Sequence, residues 1–325
     1  MSDTRVKGKR VLVTGGAGLV GSHIVDELVR RGADRIVVYD NLVRGLERNL
    51  DWARTHGNVE LVVADIADRD AIGEAMRGAH LCFHQAAMWL RECQKEPRRA
   101  IETNVLGSFN VLEACVANGV RKVVAASSSS VYGEGLYLPT DEDHPFQNDL
   151  FYGMTKVSLE QLLRCFSKEF GLDYVGLRYL NVYGPRQPFQ AAYTDVIMHF
   201  MNRIDAGEPA VIHGDGNQTV DLVYAGDIAK LNLLAMESDV TGEFINGCTG
   251  NETSLTELAE AITALRGRSA DLPPRYEPRD DRLVQRRCGC PKKAREMLGF
   301  VAETPLSDGL AAVAAWRDEV KADRA

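Results

Sequence analysis

The run Val13-Thr14-Gly15-Gly16-Ala17-Gly18-Leu19-Val20-Gly21 constrains this chain more than any other feature. It follows a short apolar run, Val11-Leu12-Val13, and opens a segment in which Ile24, Val25, Leu28 and Val29 share one helical face. Gly15 and Gly16 let the chain turn sharply, Gly18 lets backbone amides approach an anion, and Gly21 lets helix and sheet pack closely. The start of the helix offers free N–H groups and the positive end of the peptide dipoles. A strand, a glycine turn and a helix in that order hold the pyrophosphate of a dinucleotide. Glycine triplets at this spacing also arise by chance, so placement carries the argument, and Asp40 strengthens it. That residue ends a second apolar run, nineteen positions after Gly21. A carboxylate there accepts hydrogen bonds from the adenosine ribose and repels a 2′-phosphate, which favours NAD over NADP. Arg44, four residues further on, pulls the other way.

Short β-rich runs alternate with amphipathic helices through the first half. Ile36-Val37-Val38-Tyr39, Leu61-Val62-Val63, Leu81-Cys82-Phe83 and Val123-Val124-Ala125 read, with the first run, as strands buried on both faces. One helix carries Val105, Phe109, Leu112 and Val116 as a stripe. Another carries Leu159, Leu162, Leu163, Phe166 and Phe170 and is closed by Gly171. Such alternation predicts an α/β protein with a doubly wound parallel sheet. After about Arg178 the pattern breaks up. The reading is a dinucleotide-binding domain over 1–178 and a smaller substrate-binding lobe over 179–325, some of whose segments return to the first.

Composition limits the partners. With 38 Lys+Arg against 46 Asp+Glu the net charge is −8, a surface that repels phosphate backbones and speaks against nucleic acid. The opening MSDTRVKGKR has no apolar signal segment and no stretch is long enough to span a bilayer, so a cytoplasmic protein without membrane contact is expected. The 7 cysteines are odd in number and scattered, as befits reduced small hydrophobes. Cys288-x-Cys290 lacks the second pair or histidine that zinc needs, so no metal is expected.

Ser127-Ser128-Ser129-Ser130-Val131-Tyr132-Gly133 lies beyond a strand end on the cofactor edge, and Tyr152-Gly153-Met154-Thr155-Lys156 opens the next helix. The i, i+4 spacing puts Tyr152 and Lys156 on one face. Tyrosine titrates near 10 and is a poor base at neutral pH. A neighbouring ammonium and a positive nicotinamide ring would lower it, and a serine hydroxyl opposite would hold the substrate oxygen. Alone, the Tyr/Lys pair is equally a structural helix pair; its order after the glycine loop and the serines makes it catalytic.

With TGGAGLVG, YDN (39–41), ADI (64–66), HQAA (84–87), SSSSVYG (127–133), YGMTK (152–156), LRYLNVYGPRQ (177–187) and GDGNQTVDLVYAGDIA (214–229), the chain resembles the extended short-chain dehydrogenase/reductases. Within them it is similar to the NAD-dependent sugar-nucleotide epimerase/dehydratase family. The resemblance covers about residues 9–300. It implies that Gly15, Gly18, Leu19 and Val20 line the pyrophosphate and that Asp40 and Asn41 take the adenosine ribose, with Arg44 nearby. Asp65 and Ile66 would flank adenine, and Gln85, Ala86 and Ala87 would run beneath the cofactor. Ser128, Tyr152 and Lys156 would form the catalytic triad, with Asn104 positioning the lysine region. Leu180 would sit near the nicotinamide, with Ser129 and Asn181 facing the substrate. Family members dimerise through helices corresponding to 103–118 and 153–170, which implies a homodimer; core packing explains their apolar stripes equally well.

Departures narrow the activity. Dehydratases of the family place Asp-Glu after the catalytic hydroxyl and decarboxylases keep a Glu, whereas Ser129 and Ser130 supply no carboxylate. What remains is plain hydride chemistry: C4 epimerisation of a nucleotide sugar, or dehydrogenation of another sugar, polyol or metabolite. A non-catalytic NAD-binding protein is a third reading. Val220 stands where the family's substrate-diphosphate arginine belongs, and valine cannot hold an anion. Arg279 either serves instead or lies in a solvated charged turn. Trp89 and Arg91 either shape a distinct pocket, or Trp89 is simply part of the packing.

Overall fold

The computed structural model describes residues 5–188, 195–268, 271–278 and 285–322. Seven parallel strands form the central sheet. Six are β1 (Arg10–Thr14), β2 (Arg35–Asp40), β3 (Val59–Val63), β4 (Leu81–His84), β5 (Lys122–Ser128) and β6 (Asp173–Tyr179); the seventh is Glu243–Gly247. Across the sheet the order runs from Glu243–Gly247 through β6, β5, β4, β1 and β2 to β3. The order reverses between β1 and β4, whose register pairs Thr14 with His84. At such a reversal the connections leave to opposite faces and open a crevice beyond the carboxyl ends of the strands. The glycine loop follows β1 and the HQAA segment follows β4, so both rim that crevice.

Side-chain alternation along the strands splits the core in two. Val11 and Val13 pack below with Ile24, Val25 and Leu28 of helix α1 (Leu19–Arg30) and with Ile228 and Leu231 of the helix Ala225–Glu237. Leu12, Val37 and Tyr39 pack above with Val111 and Leu112 of the helix Gly107–Ala117 and with Leu159 and Leu163 of the helix Phe151–Phe170. A third cluster joins Ile197, Phe200 and Ile204 to Leu258, Ile262, Leu310 and Val313. It lies on the helices Val196–Asp205, Leu255–Leu265 and Leu306–Ala322.

Two expectations change. Leu61-Val62-Val63 is a strand, but β3 forms the sheet's edge and is only half covered, with Val63 58% exposed. The stripe expected at Val105, Phe109, Leu112 and Val116 holds in part: Leu112 is buried and Val116 packs on the core, but Phe109 does not. A π-helical turn over Ile101–Leu106 shifts the register, so Asn104, Ser108, Val111 and Cys115 face inward. Phe109 instead turns outward and meets Phe166 edge to face at 5.3 Å. Gly171 closes its helix in the left-handed conformation at φ 70, as expected of a helix stop.

Candidate active site

The glycine loop is fixed by contacts that leave no room for side chains. A Cβ on Gly15, whose φ is +66, would lie 2.7 Å from the backbone nitrogen of Ala86. One on Gly21 would lie 2.1 Å from the carbonyl oxygen of Gly15. Gly21 therefore serves close packing of the loop on its own helix, rather than of helix on sheet. Gly18 is the N-cap of α1 and has no side chain to cap the first amides, so those of Leu19 and Val20 are left for an anion. These are the features a dinucleotide pyrophosphate requires, and the residues fit it.

Asp40 ends β2, buried to 7% exposure. It accepts from the Ala17 amide at 3.0 Å and the Leu42 amide at 2.8 Å, while burial pushes its pKa upward. Asn41 donates to Asp65 at 2.8 Å, and Asp65 also accepts from the Ala67 amide at 2.9 Å. Ile66 is buried against Gly107. The Gln85 side chain is engaged within the protein, donating to Asn232 at 3.2 Å and accepting from the Tyr179 hydroxyl at 2.9 Å. Arg44 reaches across to Trp89, its guanidinium carbon 4.2 Å from the ring centroid, and to Glu92 at 3.9 Å. Trp89 is thus partly buried beneath a cation.

Sequence reasoning gave no role to Thr14, His84 and Ser108, which lock the strand ends together. Thr14 Oγ1 lies 2.8 Å from His84 Nδ1, and His84 Nε2 lies 2.9 Å from Ser108 Oγ. Ser108 in turn donates to the Asn104 carbonyl at 2.6 Å. Burial pushes the His84 pKa down to about 3 and keeps the ring neutral. The unfolded chain takes its proton near 6.5, so the stability this histidine lends is complete above that value and is lost as pH falls toward 3. The loss is expected to reach roughly 3 kcal/mol by about pH 4. Denaturant melts across that range should show a shallower slope for His84→Gln than for the native protein; equal slopes would contradict the assignment.

Ser128 ends β5, and Tyr152 and Lys156 lie one turn apart at the start of Phe151–Phe170, so the structure brings the three together. The Ser128 hydroxyl stands near enough to Tyr152 to favour its phenolate and donates to Ser130 Oγ at 3.1 Å. Lys156 donates to the Ala126 carbonyl at 2.7 Å, its Nζ 5.6 Å from the Tyr152 ring centroid. Burial pushes the lysine down to about 8 and Tyr152 up to about 12. The expected lowering of the phenol is therefore not a property of the protein alone: burial outweighs the Ser128 hydroxyl and the charge of Arg44. Asn104, on the π-helical turn, accepts from the Met88 amide at 2.6 Å and donates to Thr155 at 3.1 Å. It ties the loop after β4 to the residue before Lys156.

Leu180 and Ser129 line a crevice together with Tyr132, Arg286, Arg287 and Cys288. Asn181 is held by Asp221, its amide and side chain both donating to that carbonyl at 3.2 Å. The Asp221 carboxylate is fully buried and accepts from Thr249, Gly250 and Gly289. Val220 sits in the two-residue strand Thr219–Val220, paired antiparallel with Thr253–Ser254. Arg279 lies outside the described residues.

Behind the site, Glu160 and Arg178 form a buried ion pair that sequence reasoning also missed. Glu160 accepts from Arg178 Nη2 at 2.8 Å, Arg178 Nε at 2.9 Å and Ser127 Oγ at 2.6 Å. Arg178 donates on to Tyr132 at 3.0 Å.

Among the described residues no group of His, Cys, Asp or Glu is arranged to hold a metal, and no helix is long and apolar enough to cross a membrane. All seven cysteines are free.

The family model described as the NAD dependent epimerase/dehydratase family matches residues 11–247. A UDP-glucose 4-epimerase of Mycolicibacterium smegmatis is 36% identical, over 93% of this chain and 96% of that one. A UDP-N-acetyl-alpha-D-glucosaminuronate decarboxylase of Bacillus cytotoxicus is 31% identical, over 97% and 99%. Among solved structures, a UDP-N-acetylglucosamine 4-epimerase of Methanobrevibacter ruminantium, in complex with UDP-N-acetylmuramic acid, superposes with a TM-score of 0.90. It is 33% identical, over 97% of this chain and 99% of that one. With the glycine cradle and the Ser/Tyr/Lys site on one sheet edge, the chain belongs to the NAD-dependent epimerase/dehydratase family of enzymes, and its cofactor is NAD.

Proposed function

We propose that this protein is a nucleotide-sugar 4-epimerase working by transient oxidation at C4. One observation carries the reading: the hydroxyl triad is assembled, and the two positions after Ser128 present only hydroxyl groups. Ser130 is buried and bonded to Ser128, so no carboxylate stands there to eliminate water. Bound NAD supplies the two-electron chemistry, accepting a hydride from C4 and returning it. The glycine loop and the α1 amides hold the pyrophosphate, and Asp40 takes the adenosine ribose. Tyr152 removes the C4 hydroxyl proton and gives it back, while Ser128 holds the same oxygen. Lys156 keeps a positive charge under the phenol, and Asn104 positions that helix start. Between the two proton transfers the C4 carbonyl presents its other face, which inverts the centre.

Residues 179–325 mainly supply the substrate lobe in this reading. Val220 favours the second one, a dehydrogenase of some other alcohol, but Arg286 still lines the crevice with a cation that could meet the substrate diphosphate. The same relationship supports a homodimer, through Leu106 and Phe170, exposed to 53% and 62%; a monomeric mass in sedimentation would contradict it. Incubation with UDP-glucose, UDP-N-acetylglucosamine and UDP-glucuronate is the test of the reaction. The proposal expects C4-inverted product and no net NADH. A keto product with stoichiometric NADH, or a decarboxylated pentose, would replace it.

A further inference from the structure

The crevice beside Ser129 holds a charge that the proton-transfer scheme does not use. Two arginines line it, and they differ. Arg286 is engaged by Glu252, with Nε to Oε1 at 2.9 Å. Among the described residues the Arg287 side chain makes no hydrogen bond and no ion pair, and the carboxylate that acts on it is that of the exposed Glu134. Its guanidinium is also substantially desolvated. A half-buried guanidinium with free donors is costly to the empty protein and is satisfied when a ligand brings the counter-charge.

The backbone around Arg287 is clamped from both sides. Its amide donates to the Thr219 carbonyl at 3.2 Å, and the Thr219 amide donates to Gln285 at 3.0 Å. Thr140 brackets the following residues, donating to Cys288 at 2.8 Å and accepting from Cys290 at 2.8 Å. Gly289 is held by Asp221 at 3.2 Å. A side chain on so fixed a segment is pre-organised for recognition. It shares the crevice lining with Ser129 and Leu180, which puts it near the reacting end. These directly follow the catalytic Ser128 and the end of β6.

We propose that Arg287 reads a carboxylate on the sugar, so that the substrates are nucleotide sugars of the uronic-acid class. A planar guanidinium matches a carboxylate with two parallel N–H donors and offers a neutral hydroxymethyl group far less. The assignment rests on the epimerase reading for its chemistry but not for its binding test.

The experiment titrates NAD-loaded protein calorimetrically with UDP, UDP-glucose and UDP-glucuronate, for the native chain, Arg287→Met and Arg287→Lys. C4 inversion of both sugars is followed in parallel. The native protein should bind the acid sugar at least about tenfold more tightly than the neutral one. Arg287→Met should bring that ratio close to one, and Arg287→Lys, which keeps charge without the fork, should leave an intermediate ratio. The lysine variant carries the test if the methionine variant does not fold. No preference in the native protein, or a preference surviving in Arg287→Met, overturns the proposal. So does an equal loss for all three ligands, UDP included, since Arg287 would then grip the diphosphate. The expected binding ratios without inversion of either sugar support the role of Arg287 and remove the epimerase reading. Inversion of UDP-glucose by a protein with no preference for the acid does the reverse.

Discussion

Replacing Tyr152 with phenylalanine is expected to lower turnover by about a thousandfold while the protein still binds NAD and nucleotide sugar. The substitution removes one oxygen from a ring that lies between Ser128 and Lys156 and leaves the ring's packing in place. Both proton transfers in the scheme run through that oxygen, and no other hydroxyl of the triad has the lysine beneath it. Ser128 holds the substrate oxygen but moves no proton in the scheme, so its own loss should be milder, about tenfold to a hundredfold. Burial pushes the phenol up to about 12 in the free protein even with Lys156 beneath it, so the added positive charge of the oxidised nicotinamide would be needed to lower it. Bound NAD⁺ would then help Tyr152 act as a base. Steady-state kinetics with a matched thermal melt checks this. Turnover within about threefold of the native rate would remove Tyr152 from the mechanism.

The second large effect is on stability. Glu160→Ala should cost about 3–5 kcal/mol, because it strands a buried guanidinium and unpairs the Ser127 hydroxyl. Arg178 is 3% exposed and Glu160 0%, so water cannot replace the lost partner. The charge-free double variant Glu160→Ala with Arg178→Met should recover much of the loss, since the desolvation cost disappears with both charges. The pair also has a mechanical role. Glu160 lies one turn beyond Lys156 and holds Ser127, the neighbour of Ser128, so loosening it shifts the serine against the phenol. Turnover should therefore fall by more than affinity does. Denaturant unfolding of the three variants, read with kcat and KM, decides it; a single-variant loss under about 1 kcal/mol would show that the pair is not holding the site.

What could be read from the sequence was local. The glycine loop, the apolar strands and the i, i+4 placement of Tyr152 and Lys156 each lie within one or two adjacent elements. Spacing together with order along the chain exposes them. What stayed hidden depends on segments meeting from far apart. Glu160 and Arg178 sit on different elements, and nothing near either marks them as partners. The π-helical turn that aims Asn104 leaves no periodicity to detect, and Phe109 of the expected stripe ends up outside the core. Asp221 stood in plain view in GDGNQTVDLVYAGDIA, yet its carboxylate serves Thr249, Gly250 and Gly289, brought in by tertiary packing. Arg287 reaches the crevice only because Thr219 and Thr140 clamp its segment. The phenol's environment was legible in kind but not in sign, because burial is not visible in a spacing.

The most direct measurement uses a nucleotide sugar carrying deuterium at C4, incubated in ordinary water with the NAD-loaded protein and followed by NMR. The mechanism predicts C4-inverted product with the deuterium still on C4 and no accumulation of NADH. Loss of the label to solvent, or its recovery in free NADH beside a keto sugar, would contradict it.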